Sequence, residues 1–151
     1  DGPPAQTLGM EGSERNIMTR QPETGDILNK KVLIKIFIAG LVMAIGSIAL
    51  FSYKLAIGAS QKQAMTVAFT LFVMYQLFNA YNSKSNSAKK STYLYLAIIA
   101  CFILQVLIVY IPELQIIFRT ISIGLTDWIL IFIIAATILV SNRIANKIVV
   151  E

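Results

Sequence analysis

The chain of 151 residues carries 13 basic and 8 acidic side chains, a net charge of +5, and 56% of its residues are hydrophobic. Charged residues make up only 14%, against about 25% in a soluble domain, which is too few to cover a globular surface. The absence of histidine excludes imidazole bases, most zinc sites and the usual catalytic triads, and the single cysteine excludes an intrachain disulfide. Because the apolar residues are also clustered, the composition predicts a membrane protein.

Residues 1–31 are polar and are interrupted by prolines and glycines, which break helices. We expect this stretch to be an irregular soluble segment preceding the membrane region at 32–151. The chain begins at Asp1 without a methionine, so we expect it to be a processed product or a cut piece of a longer protein.

Four apolar stretches follow, and we predict membrane spans at about 32–53, 64–81, 93–110 and 128–145. The first has 22 residues, and at 1.5 Å per residue it reaches about 33 Å, enough to cross a hydrocarbon core of about 30 Å. The predicted fold is therefore an all-α membrane protein with four transmembrane helices in a bundle. Residues 54–63, 83–92 and 111–126 are the predicted connections, the last of them an amphipathic surface segment.

In the first span, Lys35 and Lys54 lie near the ends, where their ammonium groups can reach water beyond the hydrocarbon region. Gly40, Ala44 and Ser47 recur at helical spacing and form a stripe of small residues. Such a stripe permits close approach of a second helix, although glycine is also common in membrane helices without that role.

The second span becomes polar toward its end, where Gln76 and Asn79 lie three residues apart and share a helix face with Phe69 and Phe72. Amide groups left unpaired in hydrocarbon are costly, so these side chains must face protein, water or an ion. Two interpretations remain open, interhelical hydrogen bonding and one wall of a transport site, and spacing alone favours the first. Gln105 in the third span is predicted to be a structural hydrogen-bonding residue.

Basic residues are distributed unequally between the two sides that four spans define. One side has three, Lys54, Lys62 and Arg119, and the side with both termini has ten: Arg15, Arg20, Lys30, Lys31, Lys35, Lys84, Lys89, Lys90, Arg143 and Lys147. The positive-inside rule then predicts that both termini are cytoplasmic, which makes residues 1–31 a cytoplasmic segment.

Five short motifs occur in order along the chain. They are DGPPA with a following leucine and glycine at 1–9, IMTRQP at 17–22, QLFNAYNS at 76–83, YIPELQIIF at 110–118, and the Asp-Trp pair at 127–128. Through these motifs nearly the whole chain resembles the C-terminal transmembrane part of P-type cation-transporting ATPases, most closely the calcium pumps.

The resemblance implies that the four spans are the seventh to tenth helices of a ten-helix pump. It places Asp1 at the cytoplasmic end of the sixth helix as a ligand of the transported cation, and Gln76 where two-ion sarcoplasmic-type pumps carry a carboxylate. Asn79 is a secondary ligand candidate, and its favoured role is to orient the helix. Because an amide supplies an oxygen but no charge, we expect one Ca²⁺ per cycle.

The chain contains no phosphorylation motif, nucleotide-binding domain or glycine-rich phosphate loop, so no catalytic or cofactor-binding residue is assigned to it. The expected activity is that of an ATP-driven calcium-transporting ATPase, in which the rest of the pump binds ATP and Mg²⁺ and this chain alone is inactive. The expected partners are the remaining transmembrane helices, the phosphorylation domain and the lipid bilayer, with no nucleic acid.

Two alternatives are a free-standing four-helix carrier and an accessory membrane protein without ATPase activity. A proton-coupled carrier needs an acidic residue deep in a span, and none of the four spans has one in its core. An accessory protein would explain the composition but not the motif at 1–9.

Overall fold

The computed structural model describes Pro4, Gln6 and residues 30–82 and 92–150, with the backbone alone described at 30, 31 and 144–150. The described residues from 30 onward form five helices: α1 Lys30–Ala56, α2 Gln61–Asn82, α3 Thr92–Tyr110, α4 Pro112–Phe118 and α5 Leu125–Val150. The described residues form no β-strand, which confirms the all-α class. Apart from Pro4, Gln6 and the first two residues of α1, the predicted cytoplasmic segment 1–31 lies outside the described residues, and so does the candidate ligand Asp1.

Among the described residues, four helices are long and apolar enough to cross a membrane, as predicted: Val32–Ala56, Gln61–Asn82, Thr92–Tyr110 and Leu125–Arg143. The first helix continues to Ala56, three residues beyond the predicted span, because the charge of Lys54 does not end it. The second begins at Gln61, three residues before the predicted span. Only residues 57–60 connect them, with Gly58 at a φ of 82° that favours glycine. The hydroxyl of Ser60 accepts a hydrogen bond from the Gln63 backbone N–H (3.2 Å) and so caps α2.

Helices α1, α2 and α5 pack against one another in a three-helix core, and α3 packs against α2 and α4. The centre of the core is fully buried and consists of large aliphatic side chains from α2 and α5 with one from α1: Leu50, Val67, Leu71, Ile131 and Ile138. Because lipid tails are as apolar as leucine, close packing and interhelical hydrogen bonds, rather than exclusion from water, hold such helices together.

Helix α3 approaches α5 through aromatic side chains rather than through its backbone. The ring of Phe102 lies 6.0 Å from that of Trp128 and 6.1 Å from that of Phe132, measured between centroids. Beside these rings a cavity of about 390 Å³ separates the two helices, with an apolar wall that includes Met74 and Leu139. The bundle is therefore a compact triangle of helices with α3 at its periphery.

Large apolar side chains cover the outside of the bundle, as on α1, where Ile36, Phe37, Ile45 and Ile48 are all exposed. A soluble domain rarely exposes a contiguous apolar surface of this kind. The same surface is the normal exterior of a helix in lipid or at an interface with further membrane helices.

Candidate cation-site residues

Gln76 lies on the open face of α2. Met65, Phe69 and Phe72 precede it by eleven, seven and four residues, and all three are exposed. Gln76 itself is half-buried, and none of the described residues provides a hydrogen-bond partner for its amide. An amide on an otherwise apolar face requires a polar partner from outside the four-helix bundle.

Asn79 is turned toward α5 instead. Its side-chain oxygen accepts a hydrogen bond from Asn142 Nδ2 at 3.2 Å, which ties the ends of α2 and α5 together. The sequence placed Gln76 and Asn79 on one helix face, yet a separation of three residues turns a side chain by about 60° around the axis, since each residue contributes about 100°. That rotation leaves Asn79 facing α5 and Gln76 facing away from the bundle.

Tyr75, the residue before Gln76, fixes the rotation of α2 within the core. Its ring is fully buried, and its hydroxyl lies 3.4 Å from the Thr137 hydroxyl of α5. On the α1 side it packs so closely on Gly46 that a Cβ added there would overlap the hydroxyl oxygen. Because Tyr75 is held between α1 and α5, its neighbour Gln76 is directed outward.

The close approach on α1 therefore occurs at Gly46 and not along the predicted stripe. Gly40 and Ala44 are exposed, and a Cβ at Gly40 would meet no atom within 4 Å. The buried face of α1 includes Met43, Gly46 and Leu50, whose spacing of three and four residues was the signal that could have identified the glycine. Of the stripe, Gly40 and Ala44 are exposed and Ser47 is half-buried, so small size alone does not report which side of a membrane helix faces protein.

Gln105 confirms its predicted structural role. Its side-chain nitrogen donates a hydrogen bond to the Thr70 hydroxyl at 3.0 Å, and both residues are buried. This bond joins the middle of α3 to α2 and leaves the Gln105 amide inside the protein. Gln105 is thus a satisfied amide, in contrast to Gln76.

A second polar site joins the three core helices at the end of the bundle that carries the α1–α2 and α3–α5 connections, here called the far end. Lys54 of α1 forms an ion pair with Asp127 of α5, and the side chains are only 8% and 2% exposed. Gln63 Nε2 of α2 donates to the other Asp127 oxygen at 3.3 Å. The expectation that Lys54 extends into water is wrong, because a carboxylate inside the bundle neutralises its ammonium group.

In the described part of the chain, no three acidic, histidine or cysteine side chains cluster as metal ligands would. The described candidates, Gln76 and Asn79, are neutral oxygen donors, and Asn79 is already bonded to Asn142. What these residues can contribute chemically is one free amide oxygen on an open helix face.

Comparison with known proteins gives matches over nearly the whole chain. The family model described as the C-terminus of cation-transporting ATPases matches residues 1–148. The calcium-transporting ATPase type 2C member 1 of Mus musculus is 27% identical over 98% of the chain, and member 2 of the same organism is 30% identical over 95%. The calcium-transporting ATPase 1 of Yarrowia lipolytica is 29% identical over 91%. The chain spans 16–17% of the length of these relatives.

Proposed function

The chain belongs to the C-terminal family of cation-transporting ATPases, and from this premise we propose that it is the last membrane part of an ATP-driven calcium pump. In that pump it supports the ion-transporting helices and supplies part of the cation site. The relatives named above are calcium-transporting ATPases, which supports Ca²⁺ as the transported ion. An accessory four-helix protein without ATPase activity is not favoured, because it leaves the family match over 1–148 unexplained.

The structural observation that carries the cation-site part of this proposal is the free amide of Gln76 on the open face of α2. A pump whose remaining helices lie against that face would bury the amide at the junction between the two parts. Calcium is bound by six to eight oxygens, and a side-chain amide oxygen is one of the accepted types. Gln76 is therefore proposed as a cation ligand completed by residues outside this chain.

Asp1 is the second proposed ligand, and its carboxylate would supply a charge that Gln76 cannot. Asn79 is the weaker candidate, because its oxygen is engaged with Asn142, and its proposed role is to hold α2 against α5. With one amide in place of a carboxylate, the site compensates the charge of one Ca²⁺ rather than two.

The energy source and the orientation are also proposals. ATP and Mg²⁺ are bound by the rest of the pump, which also carries the phosphorylation domain, and this chain alone is inactive. Both termini face the cytoplasm, as the unequal distribution of basic residues indicates.

The test is the calcium dependence of ATPase activity in the full-length pump with Gln76→Ala. We expect the calcium concentration for half-activation to rise roughly tenfold or more, because a contact between a neutral polar group and a charge contributes about 1.5–3 kcal/mol. The matched control is Gln105→Ala, which removes an amide already bonded to Thr70 and should lower stability without shifting calcium activation.

Unchanged calcium activation in Gln76→Ala would overturn the ligand assignment. Equilibrium binding of radioactive calcium to the unmodified pump tests the stoichiometry separately. One ion per phosphorylatable site is expected, and two would contradict the one-ion site.

A further inference from the structure

The short helix α4 exposes a large apolar surface. Three consecutive residues at its end, Ile116, Ile117 and Phe118, are 80%, 71% and 49% exposed, and Leu125 at the start of α5 is 76% exposed. We call these four residues the α4 apolar face. Surface connections normally present polar side chains to water, so this arrangement requires an apolar neighbour.

Two polar side chains of the same segment, Gln115 and Thr120, bond back to the end of α3. Gln115 Nε2 donates to the Val109 carbonyl of α3 at 2.6 Å and to the Ser122 hydroxyl at 3.0 Å. The Thr120 hydroxyl donates to the Ile108 carbonyl at 2.8 Å. These bonds satisfy carbonyl groups in the last turn of α3, which no helical N–H reaches. With Gln115 and Thr120 bonded to α3, the last three residues of α4 that face outward are all apolar.

The segment is also fixed relative to the bundle. The backbone N–H of Ile121 donates to the Thr66 hydroxyl of α2 at 3.1 Å. Arg119 ends α4 in the left-handed conformation, with φ 54°, and this directs the chain back toward the bundle. The outward direction of the α4 apolar face is therefore set by specific contacts with α2 and α3.

The level of α4 along the bundle indicates which apolar surface lies next to it. The Trp128 ring nitrogen donates to the Tyr110 hydroxyl at 3.0 Å, and aromatic residues of this kind mark the level where a membrane meets water. Just beyond Tyr110 and Trp128 on their own helices, Leu107 and Ile129 are exposed and belong to the apolar exterior of the spans. The α4 apolar face follows the last residue of α3 and leads into the first turn of α5, so it begins at the level that these aromatic residues mark.

We propose that α4 is an interfacial helix that inserts Ile116, Ile117, Phe118 and Leu125 into the lipid leaflet at the far end of the bundle. Its partner is a lipid surface, at the boundary between head groups and acyl chains. The exposed charges of Glu113 and Arg119, which lie on either side of Ile116–Phe118 in the sequence, remain at the level of the head groups. This binding surface is independent of the cation site, so it does not depend on Gln76 being a ligand.

Site-directed spin labelling of the full-length pump in lipid vesicles tests this assignment. The label is placed at Ile117→Cys, in a background where Cys101 and any other cysteines of the pump are replaced. Collisions with oxygen, which concentrates in lipid, are compared with collisions with a water-soluble nickel chelate. Two matched controls are Ile133→Cys on the exposed middle of α5 and Gln61→Cys on the exposed start of α2.

The label at position 117 should show a higher oxygen-to-nickel collision ratio than the label at position 61, shifted toward the ratio at position 133. A ratio at 117 equal to that at 61 would place α4 in water and overturn the proposal. Low collision rates with both reagents would mean that protein covers α4, which also overturns it. A second label at Ile116→Cys repeats the measurement if the first variant does not assemble.

Discussion

Asp127→Asn removes one charge of the buried pair between α1 and α5 while keeping the shape of the side chain. Lys54 is then left with a charge and no partner, in a position where both side chains are less than one-tenth exposed. Breaking a buried ion pair by removing one partner costs about 3–5 kcal/mol, because the remaining charge is still kept from water. The hydrogen bond from Gln63 can survive at the asparagine oxygen. The loss of unfolding free energy therefore measures the removed charge and not the removal of this hydrogen bond.

The double replacement Lys54→Met with Asp127→Leu should behave differently. Both charges leave together, and apolar replacements of buried pairs are often neutral or stabilising by about 1–4 kcal/mol. We therefore expect the single variant to lower the free energy of unfolding by about 3–5 kcal/mol and the double variant to recover at least half of that loss.

The assay measures the thermal midpoint of the full-length pump in detergent. The readout is the fraction of protein that still elutes as a monodisperse peak after heating. Lys62→Met and Glu113→Gln are matched controls, because both side chains are exposed and an exposed charge contributes only about 0–1 kcal/mol. The single variants Lys54→Met and Asp127→Leu complete the comparison. If they lower the midpoint by amounts that simply add in the double variant, the ion pair does not couple the helices and the reasoning fails.

Two further predictions concern packing and topology. Gly46→Ala should destabilise the pump by about 1–3 kcal/mol, since its Cβ would overlap the buried Tyr75 hydroxyl, whereas Gly40→Ala should be tolerated in the same thermal assay. Equal losses in the two variants would contradict this account of the α1–α2 contact. A cysteine at Ser60 and one at Ser87, the latter outside the described residues, should react with an impermeant thiol reagent from opposite sides of a sealed vesicle. Reaction of both from the same side would reject the predicted topology.

The four spans could be predicted from the sequence because a long run of apolar residues indicates a helix that lies in lipid and not in water. The contacts between the spans could not, because every face of such a helix is apolar and hydrophobicity no longer separates inside from outside. Gly40 and Gly46 illustrate the difficulty, since both are small and only the second meets another helix. Gln105 was easier, because a lone amide deep in a span has few uses besides a hydrogen bond.

The polar candidates near the ends of the spans were harder to interpret. Lys54 was expected at the water boundary because its partner lies in a helix remote in sequence, and no local pattern indicates that pairing. Gln76 was singled out by type and by resemblance, but its outward direction depends on how Tyr75 fits between α1 and α5. The sequence thus supplied the candidate by residue type and resemblance alone, and the direction of its side chain depends on the packing of a neighbouring residue.

The pairing of Lys54 with Asp127 also imposes an order on assembly during synthesis. The ribosome completes α1 and α2 long before α5 exists, so Lys54 enters the membrane without its carboxylate. Until then its long side chain must keep the ammonium group at the aqueous boundary, as lysines near helix ends do. The lysine can move inside only when the last helix arrives. Closure of the bundle is therefore coupled to completion of the chain, and a nascent protein truncated before α5 retains a charged side chain that its membrane helices cannot bury.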